Sequence, residues 1–225
     1  MSSTDTTWNN AVECVVAGET LQLLPERAAY WPARKALFVA DFHLGKAASF
    51  RQAGIPLPTG TTAENVQRLD RAIARTRAIE VVFLGDFLHS AQGRAPRTLE
   101  TFAEWRGTRP SIQLTLVRGN HDKKAGDPPA EWRMRCIEAG EARGPFVLNH
   151  EPGPSRGGYG LAGHIHPAVR LSACGEKAVR LPCFWFGSRY GVLPAFGAFT
   201  GSAEVLPKRG DQVFVIAEQE VVQVA

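Results

Sequence analysis

Three short apolar runs in this chain each end on, or one residue short of, a polar block. Ala36 to Ala40 (ALFVA) stops at Asp41, Val81 to Leu84 stops at Gly85-Asp86, and Ile112 to Val117 stops just before Gly119-Asn120-His121. Short continuous apolar runs bounded by turn formers fit strands buried on both faces, as in parallel sheets. Between the first two, Gly60-Thr61-Thr62-Ala63-Glu64 reads as a capping box that opens a helix with Val66, Leu69, Ile73 and Ala74 on its apolar face. Leu99 to Trp105 carries a second helical pattern before the third run. Strand and helix thus alternate, which predicts βαβ units and a parallel sheet. Functional groups in such sheets gather on loops beyond the carboxyl ends of the strands, so blocks far apart in sequence are expected to converge.

Two further runs behave the same way. Phe146 to Leu148 delivers Asn149-His150, and Leu161-Ala162 delivers Gly163-His164-Ile165-His166. All six histidines of the chain fall within these five blocks. Imidazoles mixed with hard oxygen donors suit divalent Mn, Fe or Zn, and the supply suits two adjacent ions. Asp41 and His43 leave one strand end together. Asp86 has two carboxylate oxygens with which to bridge, Asn120 offers an amide oxygen, and His150, His164 and His166 offer ring nitrogens. Taken singly, each block has a blander reading: DxH as a loop aspartate beside a core histidine, GNHD as a turn, GHIH as a strand end. Five blocks in series, each after a strand-like run, reverse that balance and point to a two-metal hydrolase.

After residue 167 the texture changes. Val169 to Leu171, Ala178 to Leu181, Phe184 to Phe186, Phe196 to Phe199 and Val213 to Ile216 are short runs separated by Gly, Pro and Ser, which predicts an antiparallel sheet. The expectation is an α/β protein of two packed sheets flanked by helices. Because the blocks span 41 to 166 of 225 residues, dividing the chain would split the site, so a single domain over 1–225 is expected, with 1–10 flexible. No stretch is long and apolar enough for a membrane helix and Met1 to Asn10 has no apolar signal core, so a cytoplasmic location is expected. Cys14, Cys136, Cys174 and Cys183 lack paired spacing and are expected reduced. A net charge of +4 permits a polyanionic partner without demanding one.

The order D-x-H, G-D, G-N-H, H, G-H-x-H resembles that of the calcineurin-like metallophosphoesterases. The resemblance implies a four-layer α-β-β-α sandwich of two mixed sheets. It also implies Asp41, His43 and His166 on a first metal, Asn120, His150 and His164 on a second, Asp86 between them, and His121 as a catalytic residue. DFHLG and GDFLH look like the forms found in SbcD-type nucleases, with His89 where many phosphatases carry Asp, which favours a phosphodiester substrate. LLPERAAYWPARKALFVADFHLGKAASFRQAGIPLPTGTT, LPCFWFG and LPAFGAFTG are similar to the ligase-associated DNA-damage-response endonucleases of bacteria, the PdeM type. By implication the protein is a phosphodiesterase or endonuclease for single-stranded or damaged DNA, associated with an ATP-dependent DNA ligase and a repair nuclease or helicase. Homo-oligomers are compatible with this.

In the chemistry so implied, a hydroxide between two ions roughly 3.5 to 4 Å apart attacks phosphorus. Mn2+ is the expected metal, with Fe or Zn also suited, and His121 serves the leaving oxygen. His89 either orients His121 or contacts the strand, or else lends a supporting hydrogen bond. Lys46, Arg51, Arg94, Arg97, Arg118, Lys123 and Lys124 flank the blocks as a rim for phosphates, while Arg156 and Tyr159 lie on Pro152 to Gly160, read as an active-site loop. Any one of these is otherwise an ordinary solvated side chain. Phe184, Trp185 and Phe186 read as core or as a base-stacking surface. A phosphohydrolase for small esters is the competing enzyme class, and a non-catalytic binding scaffold the competing non-enzyme class.

Overall fold

The computed structural model describes residues 10–58, 60–172 and 178–225, so the expectations for 1–9 and for Cys174 lie outside the described residues. The first sheet runs in the order β1 (Val12–Val16), β2 (Glu19–Leu24), β3 (Ala28–Trp31), β4 (Ala36–Val39), β5 (Glu80–Leu84), β6 (Gln113–Val117) and β7 (Met134–Ile137). Pairs from β1 to β4 are antiparallel and pairs from β4 to β7 parallel. Helices α1 (Lys46–Gln52), α2 (Thr61–Thr76), α3 (Pro96–Thr108) and α4 (Asn120–Ala125) alternate with the parallel strands.

The second sheet contains β8 (Glu141–Arg143), β9 (Phe146–Leu148), β10 (Tyr159–Ala162), β11 (Pro167–Leu171), β12 (Val179–Phe186), β13 (Tyr190–Val192) and β14 (Ala203–Glu204), ordered β14-β11-β12-β13-β10-β9-β8. β15 (Gln212–Ala217) pairs with β12, and β16 (Glu220–Gln223) pairs with β15. Two mixed sheets with helices are therefore present, as expected. Among the described residues no helix is long and apolar enough to cross a membrane.

The continuous apolar runs are explained by two cores that share one sheet. Side chains alternate across a strand, so Leu37, Val39, Val81, Phe83, Leu114 and Leu116 meet Val66, Leu69, Ile73 and Phe102 of the helices. Their neighbours Phe38, Ala40, Val82, Leu84 and Val117 face Phe146, Leu148, Leu161, Phe184 and Phe214 of the second sheet. Each fully buried large side chain is worth about 1.5–3 kcal/mol, and a strand with both faces covered gains it at every position.

Strand register sets the site. Val39 lies opposite Phe83 and Phe83 opposite Leu116, so the loops that begin at Asp41, Gly85 and Gly119 leave the sheet side by side. In the second sheet Leu161 lies opposite Leu148, which levels Asn149-His150 with Gly163-His164.

Four local expectations are corrected. Phe196 to Phe199 is not a strand: this segment crosses between the sheets, with Leu193 N–H donating to Ala162 O, and Phe196 and Gly197 N–H donating to Ala40 and Asp41 O. The two runs around Pro182 are one strand, β12, since Pro182 sits opposite Ala168 without ending it. The capping box before α2 does not form, because the N-cap is Gly60, which has no side chain, and the Thr61 hydroxyl turns back to Pro58 O. Ala74 faces solvent and Ala72 is buried instead, while Val66, Leu69 and Ile73 form the buried face as expected.

Candidate metal centre

Asp41 and His43 flank Phe42, and Asp86 precedes Phe87. Both phenylalanines are wholly buried and stack on each other at 5.3 Å, and Phe42 stacks on Phe196 at 5.4 Å. The aromatic side chain of each block thus anchors its loop in the helix-side core and leaves its polar neighbours on the other side. Main-chain bonds then lace the loops together: Asp41 N–H to Gly85 O at 3.2 Å, His43 N–H to Asp86 O at 2.9 Å, and Gly163 N–H to His150 O at 3.0 Å. Asp41, His43, Asp86, His164 and His166 all have φ between 50° and 72°, a conformation that costs a side-chain-bearing residue roughly 1–2 kcal/mol and clusters at functional sites. Gly85, at φ 82°, is needed for a second reason: a Cβ there would lie 2.1 Å from Nδ1 of His150.

Two groups of potential ligand atoms result, Asp41 with His43 and His166, and Asp86 with His150 and His164, each group within 4.8 Å. Asn120 joins the second through Oδ1, 2.9 Å from Nε2 of His150. The groups adjoin, since Oδ2 of Asp41 accepts the His164 N–H at 2.9 Å. All seven side chains expected to bind metal are therefore brought together.

The donor chemistry fits cations. Carbonyls only accept, so the bonds from Nδ1 of His150 to Leu84 O (3.1 Å) and from Nδ1 of His166 to Gly201 O (2.9 Å) place the ring protons on Nδ1. Nε2 of His150 then presents a lone pair, yet it faces Oδ1 of Asn120 and, at 3.3 Å, Oδ1 of Asp86. Nε2 of His166 likewise faces Oδ1 of Asp41 at 3.6 Å. Nδ1 of His164, 3.0 Å from Nε2 of His150, and Nε2 of His43, 3.3 Å from Nε2 of His166, can each donate one ring proton to these lone pairs. The carboxylate and amide oxygens still face ring nitrogens, a crowding of ligand atoms that a cation relieves. Oδ1 of Asp41 and Nδ1 of His43 are buried without any hydrogen-bond partner, which is costly for polar atoms left unsatisfied. Burial, reinforced by the charge of Lys46, pushes the His43 pKa down and keeps its imidazole in the neutral form that a metal requires.

His121 stands beside these groups. Its main-chain N–H donates to Oδ1 of Asp86 at 3.0 Å, its Nδ1 donates to the main-chain carbonyl of His89 at 2.6 Å, and its Nε2 lies 3.8 Å from Oδ2 of Asp86. The His89 ring stacks on it at 4.9 Å. Burial above all, then the charges of Lys46 and His121, bring the His89 ring to a pKa of about 4, so it is neutral at pH 7. What fixes the His121 tautomer is thus the backbone of His89.

Asp122 escaped the sequence reading. Wholly buried, its carboxylate accepts the N–H groups of Phe87 (3.2 Å), Leu88 (2.8 Å) and Gly119 (3.0 Å), tying the second ligand loop to the third. Burial raises its pKa and these three bonds oppose the rise. The available signal was an acid three residues after Gly119 at a helix start.

The expected substrate contacts fare unevenly. Lys46 lies at the start of α1 within the fields of Asp41 and Asp86, which oppose the lowering of its pKa by burial. Arg118 is committed to Asp127 through two bonds of 2.7 Å and to Glu138 at 3.0 Å. Arg94 is held by the carbonyls of Ala125, Gly126 and Asp127, and Arg51 by that of Pro58. Tyr159 begins β10, at the end of the strand opposite Gly163-His164, and its hydroxyl donates to Gly187 O. Arg156 is exposed in the turn closed by the Ser155 and Gly158 bridge just before it. The segment from Pro152 therefore folds back along the second sheet instead of staying over the ligands. Phe184 and Phe186 belong to the core between the sheets, which decides the aromatic strand in favour of packing.

Comparison with known proteins agrees with this geometry. Residues 34–171 match the calcineurin-like phosphoesterase family model, and the chain belongs to that family. A crystal structure described as Pseudomonas putida nuclease MPE is 39% identical, with a TM-score of 0.84, covering 96% of this chain and 100% of that one. Yfce, a phosphoesterase from E. coli, is 15% identical with a TM-score of 0.41 over 84% of this chain and 98% of that one. No curated protein matches.

Proposed function

We propose that the protein is a two-metal phosphodiesterase that cuts DNA, with Asp41, His43 and His166 holding one divalent ion, Asn120, His150 and His164 the other, and Asp86 shared. The observation that carries this reading is the convergence from five loops of carboxylate, amide and imidazole ligand atoms into two adjoining groups, with Oδ1 of Asp41 and Nδ1 of His43 buried and without partners. The similarity to a nuclease over nearly the whole chain supports a phosphodiester substrate. When bound, a pair of divalent ions supplies Lewis acidity, lowering the pKa of water to about 7 and offsetting charge on phosphate oxygens.

The chain's own part is positional and protonic. Nδ1 of His166 and Nδ1 of His150 are held by carbonyls, so both rings keep Nε2 directed inward. His121, with Nδ1–H donated to His89 O, would serve the departing alkoxide from Nε2 as the imidazolium, the doubly protonated form in which both ring nitrogens donate. Manganese is the proposed ion, since His, Asp and Asn sets suit it. A role in DNA repair beside an ATP-dependent ligase accords with the resemblance in LPCFWFG and LPAFGAFTG.

The test incubates manganese-loaded protein with circular single-stranded DNA, supercoiled plasmid and a panel of nucleotides, with Asp86→Ala as control. Linearised circles are expected from the wild type and none from the variant. Selective hydrolysis of a nucleotide with the circles left intact would instead assign a small-ester phosphohydrolase.

A further inference from the structure

Beside His166 lies a cavity of about 190 Å³ lined by Arg27, Arg180, Ala195, Thr200 and Ser202. A larger cleft of about 790 Å³, lined by Arg27, Arg68, Arg71 and Arg75, adjoins it, and the two share the walls Arg27 and Pro182. One basic trough therefore runs from a metal-group histidine along the junction of α2 with β12 and the turn between β15 and β16. Of the acids that line it, Glu26 is taken by Arg75 at 3.2 Å, leaving Glu218, with Glu64 also acting on Arg68, against Arg27, Arg68 and Arg71.

The cluster is built, not incidental. Arg27 and Arg68 each spend a terminal nitrogen on a carbonyl of the segment that joins the two sheets, Ala195 O and Phe196 O, and Arg68 also lies over the Phe196 ring. A guanidinium has five N–H donors, so each keeps several for a ligand while its position is fixed. Burial brings Arg68 down to about 10, with the like charges of Arg27 and Arg71 adding to the shift, and an anion in the cleft relieves all three. Arg71 has no acidic partner among the described residues, and Arg180, exposed, reaches only Glu204 and Ser202 O at 3.3 and 3.4 Å. Phe199, adjoining Thr200 at the mouth beside His166, is 46% exposed and held at φ 56°. An exposed ring next to a basic trough is the pairing that single strands use: phosphates on arginines, a base on an aromatic face.

We propose that this trough carries the backbone of single-stranded DNA on one side of the cut phosphate, with Arg27, Arg68, Arg71 and Arg180 contacting phosphates and Phe199 stacking a base. It rests on the DNA-hydrolysing reading above. None of these residues lies in the rim suggested by the blocks themselves.

The test titrates a short fluorescein-labelled oligo(dT) into the manganese-loaded full chain across a range of salt, in the His121→Ala background so that binding is read without turnover. Each phosphate contact on a single strand contributes about 0.7 to the slope of log affinity against log salt, so Arg71→Ala/Arg180→Ala is expected to flatten it by about 1.4. Phe199→Ala should weaken oligo(dT) roughly fivefold to a hundredfold and leave binding of inorganic polyphosphate unchanged. Arg135→Ala, on β7, removes one such charge elsewhere and should alter neither. An unchanged slope in the folded double variant, a slope lowered as much by Arg135→Ala, or polyphosphate bound as tightly as oligo(dT) would each overturn the proposal. Failure of the wild type to hydrolyse bis-p-nitrophenyl phosphate with manganese would sink the hydrolytic reading instead, because the binding slope is measured separately.

Discussion

Replacing Asp122 is the sharpest test of how the ligand loops are held. Its Oδ2 accepts from Phe87 and Gly119 and its Oδ1 from Leu88, all out of contact with solvent. In Asp122→Asn the amide oxygen can take the place of Oδ2 and keep two of these bonds, which leaves the amide NH2 against the Leu88 N–H. One charge-assisted bond is lost and one buried donor is stranded, which costs about 2–3 kcal/mol. Asp122→Ala strands all three donors, and even at the low end of about 1 kcal/mol for each the sum reaches about 3 kcal/mol, before the lost packing is added. For a chain of this size the Asn variant should then melt about 4–12 °C below the wild type.

Urea unfolding in chelator measures the stability term free of metal, and an unchanged m-value confirms that the native state alone has shifted. Because Phe87 follows Asp86 and Gly119 precedes Asn120, slackening these loops should also weaken manganese binding about tenfold. An Asn variant within about 0.5 kcal/mol of the wild type, or an Ala variant no worse than Asn, would refute the idea that three buried N–H groups depend on this carboxylate.

Other outcomes follow from the same geometry. His121→Ala should abolish hydrolysis of bis-p-nitrophenyl phosphate with both manganese ions retained by metal analysis, and loss of the metals would contradict a role at the leaving group. Manganese at a hundred times its dissociation constant should stabilise the protein by about 2.7 kcal/mol per site, read as a rise in Tm that chelator reverses and Asp86→Ala largely removes. Arg118→Ala should leave DNA cutting unchanged and cost at most about 1 kcal/mol, because its guanidinium is occupied by exposed Asp127 and Glu138. Burial pushes the thiols of Cys14 and Cys183 up to about 12, so at pH 8 their thiolate is scarce and mass spectrometry should find both unalkylated by iodoacetamide until the protein is unfolded.

What could be read in the sequence was what depends on local pattern. ALFVA, VVFL and IQLTLV are strands because both faces of each are covered, and a side chain covered on both faces leaves an unbroken apolar run. The ligand blocks were legible because each begins where such a run ends. Residues 12–31 gave no comparable signal: β1 and β2 mix buried Cys14, Val16, Leu21 and Leu23 with exposed or half-exposed polar residues, since they form the outer, one-sided part of the sheet. Phe196 to Phe199 looked like a strand because it is a short apolar run between turn formers, but Phe196 is buried in the helix-side core, Phe199 is exposed, and the backbone bonds of the segment run to Ala40 and Asp41 at the ligand loop. Tyr159 and Arg118 were misplaced for a related reason. Nearness in sequence to a ligand block says nothing of which end of the strand a residue occupies, or of which acid holds it. Asp122 and the arginines of α2 act through partners far along the chain, and no window of sequence displays those partners.

The αL backbone of five of the ligand residues and the stranded atoms of Asp41 and His43 are costs that local packing must cover. The cover is visible: Gly85 O, Asp86 O and Asp41 O each accept a main-chain bond from another loop, and Phe42, Phe87 and Phe196 stack beneath. None of these bonds uses a ligand side chain. The loop positions are therefore fixed by backbone and core before any ion arrives, and the crowding of inward-facing ligand atoms is left for the ion to relieve. A centre organised this way spends little binding energy on rearrangement, so the differential affinity for cations is set by the acceptors themselves. It follows that the same five polar blocks, transplanted without the phenylalanines that alternate with them, would keep every ligand and lose the site.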